Sequence, residues 1–260
     1  MENRKTVGLS LGAGASRGFA HIGVLKTFIK HGIPIDIITG TSMGALVAGL
    51  YAAGNDIGYI EDLANNISMS KIMDFSIKDG GFLKGKRAEE LLRAITGNKS
   101  IEQLKIPFSC AAISLSTGKV RHFDRGGLCE AIRASISMPG IFAPYRIGDD
   151  LYIDGGPVAR LPFKKTREMG AEVLIGVDVA WRGQTSKTSD NPNPISVLQS
   201  AINFAAWEIT QLEEQEADVM ITPDVYDINP FSPKECEKCI RIGEETAEKA
   251  VDRIKELIRG

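Results

Sequence analysis

The order of apolar segments in the first 54 residues constrains the fold more than any other feature. Residues 6–12, TVGLSLG, and residues 33–40, IPIDIITG, are short apolar runs bounded by glycine, which predicts two buried strands. Each run is followed by a segment with helical spacing of apolar residues, at 19–32 and at 42–54. A strand-helix-strand-helix order predicts a parallel sheet covered by helices on both faces, and therefore an α/β protein.

The remaining segments extend this pattern. Apolar spacing predicts further helices at 56–67, 86–97, 128–138, 195–217 and 236–260, and further strands at 107–124 (two strands), 148–154, 171–180 and 218–223. The sequence contains neither an internal repeat nor a linker long enough to separate two units. We therefore expect a single domain over residues 1–260, with a motif-bearing core at about 6–180 and C-terminal helices and a last strand at 194–260.

Two stretches lack regular spacing. Residues 68–85 contain isolated Met, Ile and Phe residues, which suit either a mobile cover over a pocket or an ordinary loop anchored by those side chains. Residues 182–194 are polar and contain proline, which predicts a loop.

Composition narrows the class of protein. A formal net charge of −2, without a clustered basic excess, argues against nucleic-acid binding. Four dispersed cysteines suit a reducing compartment, and Cys236 with Cys239 lacks the second ligand pair that zinc requires. The first residues carry no signal-peptide core, and no apolar run reaches the roughly 18 residues of a membrane span. We therefore expect a cytoplasmic protein, and leave open contact with a membrane surface and the oligomeric state.

Residues 39–45, TGTSMGA, contain a G-x-S-x-G arrangement in which Gly40 and Gly44 flank Ser42. A tight turn between a strand and a helix exposes such a serine, and the helix N-terminus beneath it favours developing negative charge. The strand, the turn and the helix all occur here in that order. Ser42 is therefore a candidate nucleophile, and the alternative is a serine that merely caps the helix.

The glycine-rich turn LGAGASRG, residues 11–18, lies between the first strand and the first helix. Such a turn points several backbone N–H groups toward one position, which suits a phosphate or an oxyanion. The glycine spacing is one residue too long for the dinucleotide fingerprint, and the turn lacks the Gly-Lys-Ser/Thr of a Walker loop. An oxyanion hole is the better functional interpretation, and glycines chosen for close packing are the alternative.

The histidines of this chain do not have the position that the usual serine triad requires, so another base for Ser42 has to be sought. An α/β-hydrolase places its triad as serine, acid and histidine along the chain, but His21, His31 and His122 all precede the candidate acid. That candidate is Asp154, which ends a short strand and is followed by Gly155 and Gly156. The D-G-G sequence alone is also typical of a turn. A Ser-Asp dyad remains, in which the carboxylate takes the serine proton directly.

The motifs GAGASRG, GTSMG and DGG, in this order, resemble those of the patatin-like phospholipases. The stretches GFAHIGVLKTF and ASISMPGIFAPY support the resemblance, which covers about residues 6–180. It implies a three-layer α/β/α sandwich with a mainly parallel sheet, and hydrolysis of lipid acyl esters without metal or cofactor. By position, Ser42 would be the nucleophile and Asp154 the base.

The resemblance also implies an oxyanion hole in the first motif. Its residues would be Gly12, Ala13, Gly14, Ala15 and Arg17. The N–H groups of Gly14 and Ala15 would be the donors, and Arg17 would orient the loop or pair with an anionic head group. The family commonly has glycine where this chain has Ala13 and Ala15, and asparagine where it has Ala159.

Three further expectations concern the surroundings of the dyad. The acyl chain needs an apolar trough, for which Met43, residues 69–82 and residues 141–142 are candidates. We expect His21 to be a buried structural histidine rather than a catalytic one. Two rival functions are a thioesterase or small-ester carboxylesterase, and a regulatory or adaptor protein that keeps the fold without the chemistry.

Overall fold

The computed structural model describes residues 4–66, 74, 81–184, 194–230 and 232–259. Its strands are β1 (Val7–Leu11), β2 (Ile37–Thr41), β3 (Gly81–Leu83), β4 (Phe108–Ser114), β5 (Val120–Phe123), β6 (Gly140–Phe142), β7 (Tyr145–Ile147), β8 (Asp150–Asp154), β9 (Val173–Val177) and β10 (Val219–Ile221). Its α-helices are α1 (Ala20–Lys30), α2 (Met43–Ala52), α3 (Ile57–Asn66), α4 (Lys86–Thr96), α5 (Leu128–Ser135), α6 (Phe163–Glu168), α7 (Pro194–Glu213), α8 (Cys236–Glu248) and α9 (Val251–Arg259).

Five strands form the parallel part of the main sheet, in the order β10, β9, β1, β2, β4. Strand β4 also pairs antiparallel with β5 and with β8, and β8 pairs antiparallel with β7. Strands β3 and β6 form a separate two-stranded parallel sheet. The predicted mainly parallel sheet is confirmed.

The register around β4 brings the ends of β2 and β8 together. Ala112 and Ile113 of β4 pair with both β5 and β8, so those two strands lie on opposite sides of β4. Cys110 and Ala111 pair with both β2 and β5, so β2 also lies opposite β5. Strands β2 and β8 therefore share one side of β4, and β8 continues where β2 ends.

Helices cover both faces of the sheet, as the predicted α/β/α layering requires. In β1 and β9, alternate residues enter the main core, which also contains Leu25 and Phe28 of α1. On the opposite face, Phe163 of α6 packs with Leu161 and Leu174. Helices α1 and α8 cross closely at Gly23, which has no side chain. A Cβ there would collide with the Ile240 carbonyl oxygen.

Some predicted elements differ from the observed ones. The predicted closing helix is two helices, α8 and α9, separated at residues 249–250. Buried apolar residues keep one helical spacing across that break, so the sequence carries no mark of it. The short elements β3, β6, β7 and α6 had no prediction because three to six residues show no clear period. Most of the irregular stretch at 68–85, for which a mobile cover and an ordinary loop were the alternatives, lies outside the described residues (68–73 and 75–80), as do residues 185–193.

Candidate active site

Ser42 lies in a sharp turn between β2 and α2. Its φ of 56° is positive, which is uncommon for a residue with a side chain and marks backbone strain. The turn depends on its two glycines: a Cβ at Gly40 would lie 2.5 Å from the carbonyl carbon of Gly44, and one at Gly44 would collide with the Leu11 carbonyl oxygen. The Ser42 side chain makes no capping hydrogen bond to α2, so it does not act as a helix cap.

The Ser42 hydroxyl points to Asp154 instead. Its Oγ donates a hydrogen bond of 2.5 Å to Asp154 Oδ2. Both side chains are buried, with 4% of each residue exposed. The structure thus brings together the two residues that the sequence proposed as nucleophile and base, although 112 positions separate them.

The second carboxylate oxygen of Asp154 is held by the backbone that follows it. Gly156 N–H donates to Asp154 Oδ1 at 2.7 Å. Gly155 allows the chain to turn there, since a Cβ on it would lie 2.6 Å from the Ala111 carbonyl oxygen. Burial raises the pKa of Asp154 to about 6, against the opposing effect of the hydrogen bonds from Ser42 and Gly156. A carboxylate with such a pKa is charged at neutral pH and still basic enough to take a proton.

Two further serines hold the dyad in place. Ser42 N–H donates to Ser135 Oγ at 2.9 Å, and Ser135 Oγ donates to the Ala111 carbonyl oxygen at 2.7 Å. Asp154 N–H donates to the Ser137 carbonyl oxygen at 2.9 Å. In the sequence this stretch, ASISMPG, is only a supporting flank of the family resemblance, and no role was predicted for Ser135. The available signal was a pair of serines at the end of a helix, just before the proline.

In the glycine-rich loop beside Ser42, two backbone N–H groups are hydrogen bonded within the fold and two have no acceptor among the described residues. Gly12 N–H donates to the Val177 carbonyl oxygen, and Ala13 N–H donates to that of Arg160. These two residues, which the sequence placed in the predicted oxyanion hole without naming their amides as donors, therefore build the loop. Gly14 N–H and Ala15 N–H have no acceptor in the described part of the chain. Ala15 has a φ of 49°, so it adopts a left-handed backbone conformation that glycine accommodates more readily than alanine.

Arg17 and His21 support this loop from within the fold. Arg17 donates from Nε to the Ile228 carbonyl oxygen at 2.9 Å and from an Nη to that of Tyr226 at 2.6 Å. His21 is fully buried, and its Nε2 lies 2.8 Å from the Gly12 carbonyl oxygen. Burial lowers the pKa of His21 to about 4, so the ring is neutral and donates to Gly12. The expectation of a structural histidine fits this contact.

Two cavities meet at Ser42. A small cleft of about 70 Å³ contains Ser42, Asp154, Gly14 and Ala15. A much larger cavity of about 620 Å³ also begins at Ser42 and has an almost entirely apolar lining. Met43, Ile141 and Phe142, three of the candidates for an acyl trough, line this larger cavity. The candidates at 69–73 and 75–80 lie outside the described residues.

A protein-family model matches this arrangement of motifs. The model described as patatin-like phospholipase matches residues 9–166, which is more than half of the chain. The chain belongs to this family. Ser42 and Asp154 both fall within the matched patatin-like region, as does the whole glycine-rich loop.

Curated relatives of this patatin-like chain are longer proteins. An uncharacterized NTE family protein of Mycobacterium tuberculosis is 38% identical over 175 residues, which are 66% of this chain and 49% of that protein. Lysophospholipase NTE1 of Debaryomyces hansenii is 33% identical over 183 residues, which are 68% of this chain and 12% of that protein. The chain thus spans about half of the mycobacterial relative and a small part of the yeast one.

A solved structure with the same fold is VipD from Legionella pneumophila. The match has a TM-score of 0.62 and covers 96% of this chain and 67% of the VipD chain, at 13% sequence identity. At that identity the likeness shows the fold alone. It supports the patatin-like α/β architecture described above.

The cysteine pair of the patatin-like chain packs in the core. Cys236 and Cys239 are buried on α8, and burial raises the pKa of these thiols to about 12 and about 11. Among the residues that the structure describes, no group of three His, Cys, Asp or Glu side chains could hold a metal ion. No helix within the same ranges has the length and apolar character needed to cross a membrane.

Proposed function

We propose that this chain is a serine acyl hydrolase that cleaves acyl esters of lipids with a Ser42–Asp154 dyad. The observation that carries the proposal is the position of that dyad, at the junction of a small cleft of mixed polarity and a large apolar cavity. A lipid ester has a polar head on one side of its carbonyl and an acyl chain on the other. The two cavities suit those two parts.

In the first step Asp154 Oδ2 takes the proton of the Ser42 hydroxyl while Oγ attacks the acyl carbonyl. The hydrogen bond between these atoms is already formed in the free protein, so this transfer needs no rearrangement. The tetrahedral intermediate then collapses, and Asp154 returns the proton to the departing alcohol. An acyl ester on Ser42 remains.

In the second step Asp154 activates a water molecule that attacks the acyl-enzyme. The same carboxylate takes the water proton and returns it to Ser42 Oγ as the fatty acid leaves. The residues of the dyad are thereby restored. Each step needs only one basic group, so no histidine enters the cycle.

The amides of Gly14 and Ala15 are the proposed donors to the developing oxyanion. Both residues line the cleft that contains Ser42 and Asp154, and neither amide is used elsewhere in the described chain. Fixed donors of this kind stabilise negative charge without reorganising during the reaction. Arg17 is a positioning residue in this scheme, because its guanidinium is bound to the loop at 226–228.

The apolar cavity is the proposed acyl site. Met43, Leu46 and Leu50 line it along one face of α2, leading away from Ser42. A long acyl chain placed there would leave water and contact these side chains along its length, which favours long-chain over short-chain esters.

Comparison of leaving groups tests the proposal and its closest rival. Purified protein is given lysophosphatidylcholine, a long-chain acyl-thioester and a short p-nitrophenyl ester, with Ser42→Ala as the control for contaminating activity. A lipid ester hydrolase turns over the lysophospholipid most efficiently. Preference for the thioester or the short ester would favour the rival hydrolases. Equal rates for wild type and Ser42→Ala would contradict the proposal and favour an adaptor.

A further inference from the structure

Helix α7 has the reverse of the usual polarity. Five large apolar side chains on it face solvent: Val197 (52% exposed), Leu198 (49%), Phe204 (51%), Ile209 (36%) and Leu212 (78%). The residues of the same helix that face the protein include Gln199 and Thr210, which are 8% and 1% exposed. A surface helix normally buries its apolar side and exposes its polar side.

The five exposed apolar side chains form one continuous surface, which we call the α7 stripe. At 3.6 residues per turn they fall within an arc of roughly 140° around the helix axis. That arc also holds Ala201 and Ala205, and Glu208 is its one charged residue. The α7 stripe is therefore an apolar band with almost no charge.

The inward face of α7 is hydrogen bonded to the walls of the active-site cleft at Gln199 and Asn203. Gln199 donates from Nε2 to the Pro139 carbonyl oxygen at 2.8 Å, and Arg160 donates from an Nη to the Asn203 carbonyl oxygen at 3.3 Å. Gln199 and Asn203 also line the cleft that contains Ser42 and Asp154. The α7 stripe thus lies on the outer side of a helix whose inner side forms the cleft wall.

Both tryptophans of the chain lie at this helix. Trp181 packs against Phe204 of the α7 stripe with ring centroids 4.7 Å apart, and the Trp207 ring lies beneath the Arg182 guanidinium at 5.2 Å. Tryptophan is enriched where protein meets the boundary between lipid and water, since its ring is apolar and its N–H is polar.

We propose that the α7 stripe docks the protein on the surface of a lipid bilayer, beside the entrance to the cleft. A large apolar side chain that is fully exposed offers about 60–120 Å² of apolar surface, and the five in the α7 stripe are between 36% and 78% exposed. The sum falls short of the roughly 800 Å² per partner that a standard protein interface buries. A convex helix face of this kind, with Glu208 as its one charged residue, matches the boundary between head groups and acyl chains, into which amphipathic helices insert.

Vesicle binding tests this proposal in the Ser42→Ala variant of the 260-residue chain, so that hydrolysis does not alter the lipid. The probe is a phosphatidylcholine vesicle, and the readouts are co-sedimentation and the emission wavelength of Trp181 and Trp207. The test variant adds Leu198→Asp and Leu212→Asp. The matched control adds Ser200→Asp and Gln211→Asp, two exposed positions of the same helix outside the α7 stripe.

We expect vesicle binding with a blue shift of tryptophan emission, weakened about tenfold or more in the test variant and within about twofold in the control. In a protein that retains Ser42, the test variant should hydrolyse a soluble short ester normally. Absence of vesicle binding, or equal binding by both variants, would overturn the proposal. The proposal would also be overturned if the Ser42→Ala protein were a dimer, the test variant were a monomer, and neither bound vesicles. The vesicle-binding and dimer outcomes do not depend on the hydrolase activity, so they are distinct from failure of the proposed function.

Discussion

Thr41 and Asp154 pair with adjacent residues of strand β4, Ala111 and Ala112. Strand β2 runs parallel to β4 and ends at Thr41, whereas β8 runs antiparallel and ends at Asp154. The two strands therefore point at each other along one side of β4. Ser42, the residue after Thr41, meets the Asp154 carboxylate at that junction, so the dyad follows from strand register.

The first prediction concerns the pH dependence of the rate. Asp154 must be charged to accept the Ser42 proton, and burial raises its pKa to about 6. We expect kcat/KM for a soluble ester to be constant above about pH 7 and to fall about tenfold per pH unit below about 6. Circular dichroism over the same range controls for unfolding. A rate that does not change between pH 5 and pH 7 would exclude Asp154 as the base.

The second prediction is that Asp154→Asn stabilises the protein at neutral pH. The folded-state pKa of about 6 exceeds the unfolded value of about 3.9, so the free energy of unfolding falls as pH rises through that window. Asparagine carries no charge and can keep a hydrogen bond to Gly156. We expect urea unfolding to show a gain of about 1–3 kcal/mol at pH 8 that disappears near pH 4. Equal stability of both proteins at pH 8 would contradict the raised pKa.

The third prediction is that Ser135→Ala impairs both stability and rate. Removing the Ser135 hydroxyl leaves the Ser42 N–H and the Ala111 carbonyl without this partner, in a site that is 0% exposed. We expect a loss of about 1–3 kcal/mol in unfolding free energy. We also expect a fall in kcat with little change in KM, because the strained Ser42 turn loses a restraint.

Ser109→Ala is the matched control for that variant. Ser109 is equally buried, on β4, and its hydroxyl has no hydrogen-bond partner within the ranges that the structure describes. This change should leave the rate unaltered. If Ser135→Ala and Ser109→Ala behave alike, Ser135 is not a positioning residue.

The fourth prediction concerns acyl-chain length. Leu50 lines the apolar cavity and lies about 12 Å from Ser42 along the axis of α2. Leu50→Trp should obstruct the far part of the cavity and lower kcat/KM for long-chain esters, with little effect on short ones. Ile29→Trp, at a 46% exposed site on α1, is the control. An equal loss with long and short esters would indicate general damage instead of a shortened acyl site.

The sequence predicted the parts of the fold that have strong periodicity and distinctive turns. The strand before Ser42 and the helix after it were evident from the sequence. A short apolar run typical of a buried strand precedes the G-x-S-x-G turn, and a segment with helical spacing of apolar residues follows it. The position of Asp154 beside Ser42 was inferred from the order of the histidines and from the family resemblance, since register across β4 is a tertiary property. The engagement of the Gly12 and Ala13 amides was also invisible, because their acceptors lie more than 140 residues away.

Helix α7 shows a different limit of sequence reasoning. Its apolar spacing correctly predicted a helix, but a period alone does not say which face packs on the protein. Burial of Gln199 depends on an acceptor in the cleft wall, the Pro139 carbonyl oxygen, whereas buried Thr210 donates to the Ala206 carbonyl oxygen of its own helix. The usual assumption that the apolar face is buried fails here.

The most direct test of the account is covalent labelling by a fluorophosphonate probe, which reacts with activated serine hydroxyls. Wild-type protein should be labelled on the peptide that contains Ser42, as identified by mass spectrometry. Ser42→Ala should not be labelled, and Asp154→Asn should be labelled at least about a hundredfold more slowly because the base is lost. Labelling that persists in Ser42→Ala, or that proceeds at the wild-type rate in Asp154→Asn, would contradict the Ser42–Asp154 dyad.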